Sequence, residues 1–232
     1  VIADRVAAVR ERIARAAERA ARAPETVTLV AVSKTFPAEA VRLAFDAGVR
    51  HFGENRVQEA EPKIVALQAL RGEGLRWHLV GHLQSNKARK AASLFDVIQS
   101  VDSAELAGRL DRVASEAGRP VRALVQVDLA GEATKFGLPE AEAPEAIEKM
   151  HGLGGLRVEG LMVMPPYLED AEAVRPYFRR LRALRDRLAA AGVLDGTDLS
   201  MGMSHDFETA VEEGATIVRV GTAIFGEREA AA

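Results

Sequence analysis

Leu29-Val30-Ala31-Val32-Ser33-Lys34 is a short apolar run, enriched in β-branched residues, that closes on a lysine. Its length and branching predict a β-strand, and Pro37 opens a helical pattern just beyond it. Lys34 then projects from the C-terminal end of the first strand. In an eight-fold β/α barrel that end of the strands is the active face. A lysine held there, partly withdrawn from water, suits the capture of an aldehyde as a Schiff base. Lysine is scarce in this chain, with six against 25 arginines. On its own a strand-end lysine is more often a surface charge, so the other strand ends have to decide.

Strand and helix alternate on both sides of this run. Upstream, Ile2, Val6, Val9 and Ile13 recur at helical spacing between charges, an amphipathic leading helix stopped by Ala23-Pro24. Strands are predicted over residues 27–33, 51–53, 75–80, 97–100, 121–128, 156–162, 199–201 and 216–220. Helices are predicted between them over 37–47, 56–70, 86–92, 102–117, 139–150, 171–191 and 207–213. Asp102-Ser103-Ala104-Glu105 reads as a capping box. Parallel strands need such crossovers, and eight of them predict a TIM (β/α)8 barrel with an extra N-terminal helix. No linker or low-complexity tract divides the chain, so residues 1–232 read as one domain. An open dinucleotide-binding sheet fits less well, because Lys34 stands where a Gly-x-Gly-x-x-Gly turn would follow strand one.

Composition narrows the function classes. Apolar residues make up 48% of 232, enough for a full core. A net charge of −3 gives no bulk basic surface for nucleic acid. With no cysteine, disulfides, thiolate metal sites and cysteine nucleophiles are excluded. The N-terminal Arg/Glu/Ala segment is unlike a signal peptide, and no apolar stretch approaches the ~20 residues of a membrane span. A cytoplasmic location is expected. The chain begins at Val1 rather than methionine, so a short preceding leader is also expected.

The last two strand ends are the most specific. Met201-Gly202-Met203-Ser204-His205-Asp206 leads into a helix, and Arg219-Val220-Gly221-Thr222 leaves the last strand. Barrels often bind phosphate there through backbone N–H groups. Gly202 and Gly221 permit close backbone approach, while Ser204 and Thr222 supply hydroxyls. The plainer reading makes Ser204-His205-Asp206 a helix cap and Gly221 a turn. Arg219 shares its strand phase with Ile217, opposite Val218 and Val220. An inward arginine demands a partner. A pyridine nitrogen is one, and a carboxylate such as Glu54 or Glu213 is the other.

These segments resemble a known family. They include 30–34, His51-Phe52-Gly53-Glu54-Asn55-Arg56-Val57-Gln58-Glu59 and Trp77-His78-Leu79-Val80-Gly81-His82-Leu83-Gln84-Ser85-Asn86-Lys87, with 199–208 and 218–226 the strongest. Across residues 27–226 the chain is similar to the pyridoxal phosphate homeostasis proteins. The resemblance implies a fold like the alanine racemase N-terminal domain, with pyridoxal 5'-phosphate carried on Lys34 as an internal aldimine. It implies a cofactor-binding set of Lys34, Asn55, Met201, Ser204, Arg219, Gly221 and Thr222. Within it Ser204 and the Gly221-Thr222 backbone meet the phosphate, Asn55 lies near the ring and Arg219 at the pyridine nitrogen. The loops 130–134 and 162–166 depart most from the family's pattern, and their contacts are unassigned.

Binding a cofactor is not catalysis. A racemase needs a second acid/base opposite the lysine, which the racemase relatives take from a second domain across a dimer. Here the only tyrosines are Tyr167, in a loop, and Tyr177, in the long helix. An arginine at the ring nitrogen also makes the ring a poorer electron sink. The expected role is therefore a carrier that buffers pyridoxal phosphate and supplies apo forms of the enzymes that use it. The alternative is a weak amino-acid racemase. A monomer is expected, because the relatives dimerise through parts absent here. A metal site is not expected. On a strand, His78 and His82 would stand about 13 Å apart, and His51 and His151 read as capping or surface residues. Arg179, Arg180, Arg182, Arg185 and Arg187 read as a solvated helix face with Glu and Asp nearby, with no nucleic-acid role, though such a face could recognise an acidic partner such as an apoenzyme.

Overall fold

The computed structural model describes residues 1–131 and 136–227. Residues 132–134 of the first departing loop lie outside the described residues. The chain opens with α1 (Ile2–Arg19), whose Val6, Val9, Ile13, Ala16 and Ala17 form the buried stripe. Then follow β1 (Thr28–Val32), α2 (Ala38–Asp46), β2 (His51–Glu54), α3 (Val57–Ala66) and β3 (Arg76–Leu79). Next come α4 (Ala88–Leu94), β4 (Val97–Val101), α5 (Ala104–Ala117), β5 (Val121–Asp128) and β6 (Leu138–Pro139). The chain continues through α6 (Ala143–His151), β7 (Leu156–Met162), α7 (Arg175–Ala190), β8 (Asp198–Ser200), α8 (Phe207–Glu212), β9 (Ile217–Val220) and α9 (Thr222–Phe225).

All pairings are parallel, in the order β4-β3-β2-β1-β9-β8-β7-β5, and β4 also pairs with β5. That last pairing closes an eight-strand barrel, as the alternation predicts. β6 adds two residues beside the end of β5 and was not anticipated. Its pairing is too short to leave an apolar period in the sequence. Helix ends also differ. The predicted helix over 56–70 stops at Ala66 and resumes as a 3₁₀ turn, and 171–174 is 3₁₀ before Pro176 opens α7. The capping box is half made, since the Ser103 hydroxyl accepts from Leu106 N.

The strand phase sorts the core into two layers. Val30, Val97, Leu124, Met162 and Ile217 meet inside the barrel. Ala31, Phe52, Trp77, Leu79, Ile98, Val218 and Val220 face outward into the larger core under the helices. Gly53 is inward, where a Cβ would stand 3.1 Å from Val30 Cγ1 and 3.2 Å from Val32 Cγ2. Among the described residues no helix is long and apolar enough to cross a membrane.

Trp77 is wholly buried in the outer layer and packs 5.9 Å from Phe52, centroid to centroid. Trp77→Ala is expected to cost about 3–5 kcal/mol of stability, read as a lower midpoint in chemical denaturation with an unchanged far-UV circular dichroism spectrum of the folded state.

Candidate functional site

The strand order brings the sequence-predicted residues to one rim. β8, β9, β1 and β2 are consecutive staves. Val30 stands opposite both Arg219 and His51, and Val32 opposite Gly53. Lys34 and Asn55, each two residues further on, therefore leave adjacent strands side by side. Both are half-buried. Thr35, next after the lysine, takes a left-handed φ of 69°, an uncommon conformation for a non-glycine residue. Gly81 closes over Asn55 so tightly that a Cβ would come within 2.2 Å of the Asn55 carbonyl oxygen.

The lysine strand end is anchored from outside the barrel. Ser33 Oγ donates to Glu54 Oε1 at 2.6 Å. Lys63, from α3, donates to the same oxygen at 2.7 Å and to the Ser33 carbonyl at 2.8 Å. Glu54 is fully buried, and burial raises its pKa against the opposing pull of Lys63 and Ser33. The Ser33 amide is bonded to the Gly53 carbonyl at 2.9 Å. Both backbone groups of the residue before Lys34 are thus fixed.

The β8 and β9 loops form a cradle of donors. Ser204 Oγ accepts from Gly221 N at 3.1 Å and Ala223 N at 3.4 Å. Gly202 has φ +93°, and a Cβ there would lie 2.6 Å from Ala210 Cβ. Asp206 folds this loop by accepting Met203 N at 2.6 Å. Ser204 itself bonds the β9 loop rather than capping α8, whose N-cap is Asp206. Thr222 is exposed at the start of α9. Met201 packs in the outer core, so its backbone alone borders this rim.

Arg219 points inward, as its phase predicts, and is 3% exposed. Its partners are neutral, not the carboxylates Glu54 or Glu213. Nη1 donates to Ser200 Oγ at 2.6 Å and Nη2 to the Val163 carbonyl at 2.8 Å. Glu54 is taken by Lys63, and Glu213 by Arg175, Arg179 and Arg182 on the outside. Burial lowers the Arg219 pKa to about 10, opposed by the Asp206 carboxylate, so the group stays charged near neutrality.

Behind Ser200 runs a chain unseen from sequence. Ser200 Oγ donates to Gln99 Oε1 at 2.5 Å, and Gln99 Nε2 meets His78 Nδ1 at 2.9 Å. His78 Nε2 meets His51 Nδ1 at 2.9 Å. The view of His51 as a capping or surface residue is thereby corrected: it is half-buried and faces the interior from the start of β2. Burial and the neighbouring His51 and Arg122 push the His78 pKa down to about 3. One sequence signal was available: Gln99 and Ser200 are polar residues at inward phase, where a barrel strand ordinarily places apolar ones.

The remaining predicted residues separate from this set. His82 pairs with Asp102 at 2.9 Å and stacks on Phe136. His205 bonds the Leu168 and Glu169 carbonyls beside the exposed Tyr167. Tyr177 packs at the edge of the core. On α7, Arg179 and Arg182 pair with Glu213, Arg180 with Glu140, and Arg185 with Asp186, so four of the five arginines of that run have acidic partners.

Fold and rim together define a β/α barrel of the alanine racemase N-terminal domain class. Residues 5–229 match that family. Within it, the chain belongs to the family of pyridoxal phosphate homeostasis proteins. The homeostasis protein of Aquifex aeolicus is 45% identical over 87% of each chain. That of Escherichia coli K12 is 41% identical over 98% of this chain and 97% of its own. PipY of Synechococcus elongatus, solved with PLP bound, has a TM-score of 0.86 at 44% identity, over 97% of this chain and 100% of PipY. An alanine racemase of Clostridium difficile has a TM-score of 0.69 at 17% identity, over 95% of this chain and 60% of the racemase, a likeness of fold alone.

Lys63→Met leaves Glu54 buried without its cation. It is expected to lower stability by about 3 kcal/mol at pH 8. Lys63 pulls the Glu54 pKa down, so its loss raises the folded-state pKa above the parent's already raised one, and the folded variant binds that proton more tightly than the folded parent. The deficit should therefore shrink as pH falls toward 5, as checked by denaturation at both pH values.

Proposed function

We propose that this chain binds pyridoxal 5'-phosphate at the C-terminal mouth of the barrel, through a Schiff base on Lys34, and serves as an intracellular store that supplies apoenzymes. The observation that carries this reading is the convergence of Lys34, Asn55, Arg219, Ser204, Gly221 and Thr222 on four adjacent strand ends. PipY, at 44% identity, was solved with this compound bound.

The donor set fits the group. The N–H groups of Gly221 and Ala223 already converge on one oxygen, Ser204 Oγ, so the cradle is suited to an anion's oxygens. Ser204 and Thr222 add hydroxyls that can turn to donate. Arg219 offers N–H donors to a ring nitrogen and no acceptor, so it disfavours a proton on that nitrogen. Asn55, held under Gly81 on the strand end beside Lys34, would border the ring. When bound, pyridoxal phosphate supplies an aldehyde carbon that an amine captures reversibly. Lys34 is presented to it by a strand end whose preceding residue is fixed by Glu54 and Lys63. Capture without a protonated ring is suited to storage and release rather than to rapid amino-acid chemistry.

The test is an absorbance spectrum with added pyridoxal phosphate, followed by borohydride reduction and peptide mapping. The visible Schiff-base band and label on Lys34 are expected. Lys34→Ala should abolish both while leaving the denaturation midpoint within about 1 kcal/mol of the parent. Label on another lysine would overturn the assignment. Transfer to an apoenzyme, followed by its regained activity, tests the supply role.

A further inference from the structure

The interior chain from Arg219 to His51 has a single direction. Arg219 can only donate, so Ser200 Oγ accepts. The Ser200 proton then needs its own acceptor, which is Gln99 Oε1. That choice turns the Gln99 amide N–H toward His78 Nδ1, which must be unprotonated to accept it. His78 therefore carries its proton on Nε2 and donates to His51 Nδ1. Each bond polarises the next toward the guanidinium. The charge of Arg219 is accommodated in an apolar barrel by aligned neutral dipoles that reach the opposite mouth.

We propose that Gln99 and His78 are positioning residues for Arg219, holding the Ser200 hydroxyl so that its lone pair faces the guanidinium. The proposal rests on the reading that Arg219 meets the ring nitrogen of bound pyridoxal phosphate. It adds a second influence on that contact, from the N-terminal mouth of the barrel. A proton on His51 Nδ1 would make it a donor to His78 Nε2. His78 would then hold its proton on Nδ1, Gln99 would turn its carbonyl to His78, and its N–H groups would face Ser200. The Ser200 hydroxyl would lose its acceptor, and Arg219 would lose an oriented partner. The charged groups acting on His51 are Arg76, Arg122 and Asp96, and Arg122 also acts on His78. Asp206 acts on Arg219 from the other end.

The experiment is nitrogen NMR of the cofactor-free full chain, read together with pyridoxal phosphate titrations. In the parent protein, His78 should show the Nε2–H tautomer from pH 8 to 6. The Arg219 guanidinium signals should shift with the same midpoint as His51. Gln99→Met keeps the volume but removes the acceptor. It should move the Arg219 signals and weaken pyridoxal phosphate affinity about tenfold, as for one lost hydrogen bond to a charge. Gln99→Glu restores an acceptor for Ser200 and should hold affinity within about twofold of the parent. An Nδ1–H tautomer on His78 between pH 8 and 6, or Arg219 signals indifferent to both His51 and Gln99→Met, would overturn the proposal without any variant having to bind ligand. Failure of the parent to take up pyridoxal phosphate would instead sink the cofactor reading, with the NMR arms still deciding the chain.

Discussion

A guanidinium inside a barrel is the constraint around which this structure is built. Arg219 is 3% exposed and lacks a hydrogen-bonded carboxylate among the described residues. An uncompensated charge there would cost several kcal/mol. The compensation is distributed. Ser200 and the Val163 carbonyl accept its N–H groups, Asp206 acts at a distance, and Gln99 and His78 keep Ser200 turned the right way. Polar side chains occupy inward positions on β2, β3, β4 and β8 for this reason, where a barrel would ordinarily place branched apolar residues.

The opposite problem is solved at Lys34. A flexible side chain has to be offered at a defined place, so its backbone is fixed instead. The device is a buried ion pair, Glu54 with Lys63, that grips Ser33 on both its hydroxyl and its carbonyl. Buried pairs are weak sources of net stability, and their better-attested use is to specify one arrangement. Here the arrangement specified is the exit of β1.

Much of this could be read from the chain. The eight strands fall at the predicted places: β1, β4, β5, β7 and β9 because they carry β-branched residues, and β2, β3 and β8 because they fill the short gaps between helical segments. Lys34, Ser204, Arg219 and Gly221 were legible because barrel function collects at strand ends, and strand ends can be counted along a sequence. What stayed hidden depends on closure. His51, His78 and Gln99 sit on three neighbouring strands, and Gln99 reaches Ser200 only across the interior, so no local spacing joins the four. Lys63 is hidden for a similar reason, as a helix residue whose partner lies behind a strand. The alternative of a carboxylate partner for Arg219 failed because rows of neutral dipoles can do the same work, and sequence carries no mark of their alignment.

The seam of the barrel lies between β1 and β9, the first and last staves. α1 lies across it. Arg12 and Arg19 of α1 pair with Glu208 and Glu212 of α8 at 2.8 and 2.7 Å, and Arg12 sits over the Phe207 ring. The residues that gather at the rim flank this same seam. During synthesis the chain emerges from its N-terminus, so strand one must wait for a partner nearly two hundred residues behind it. Until Val220 has left the ribosome there is no wall joining Lys34 to Gly221, and a nascent chain presents a lysine without its cradle. The site is thus complete only once β9 has joined β1, and no fragment truncated before β9 can assemble it.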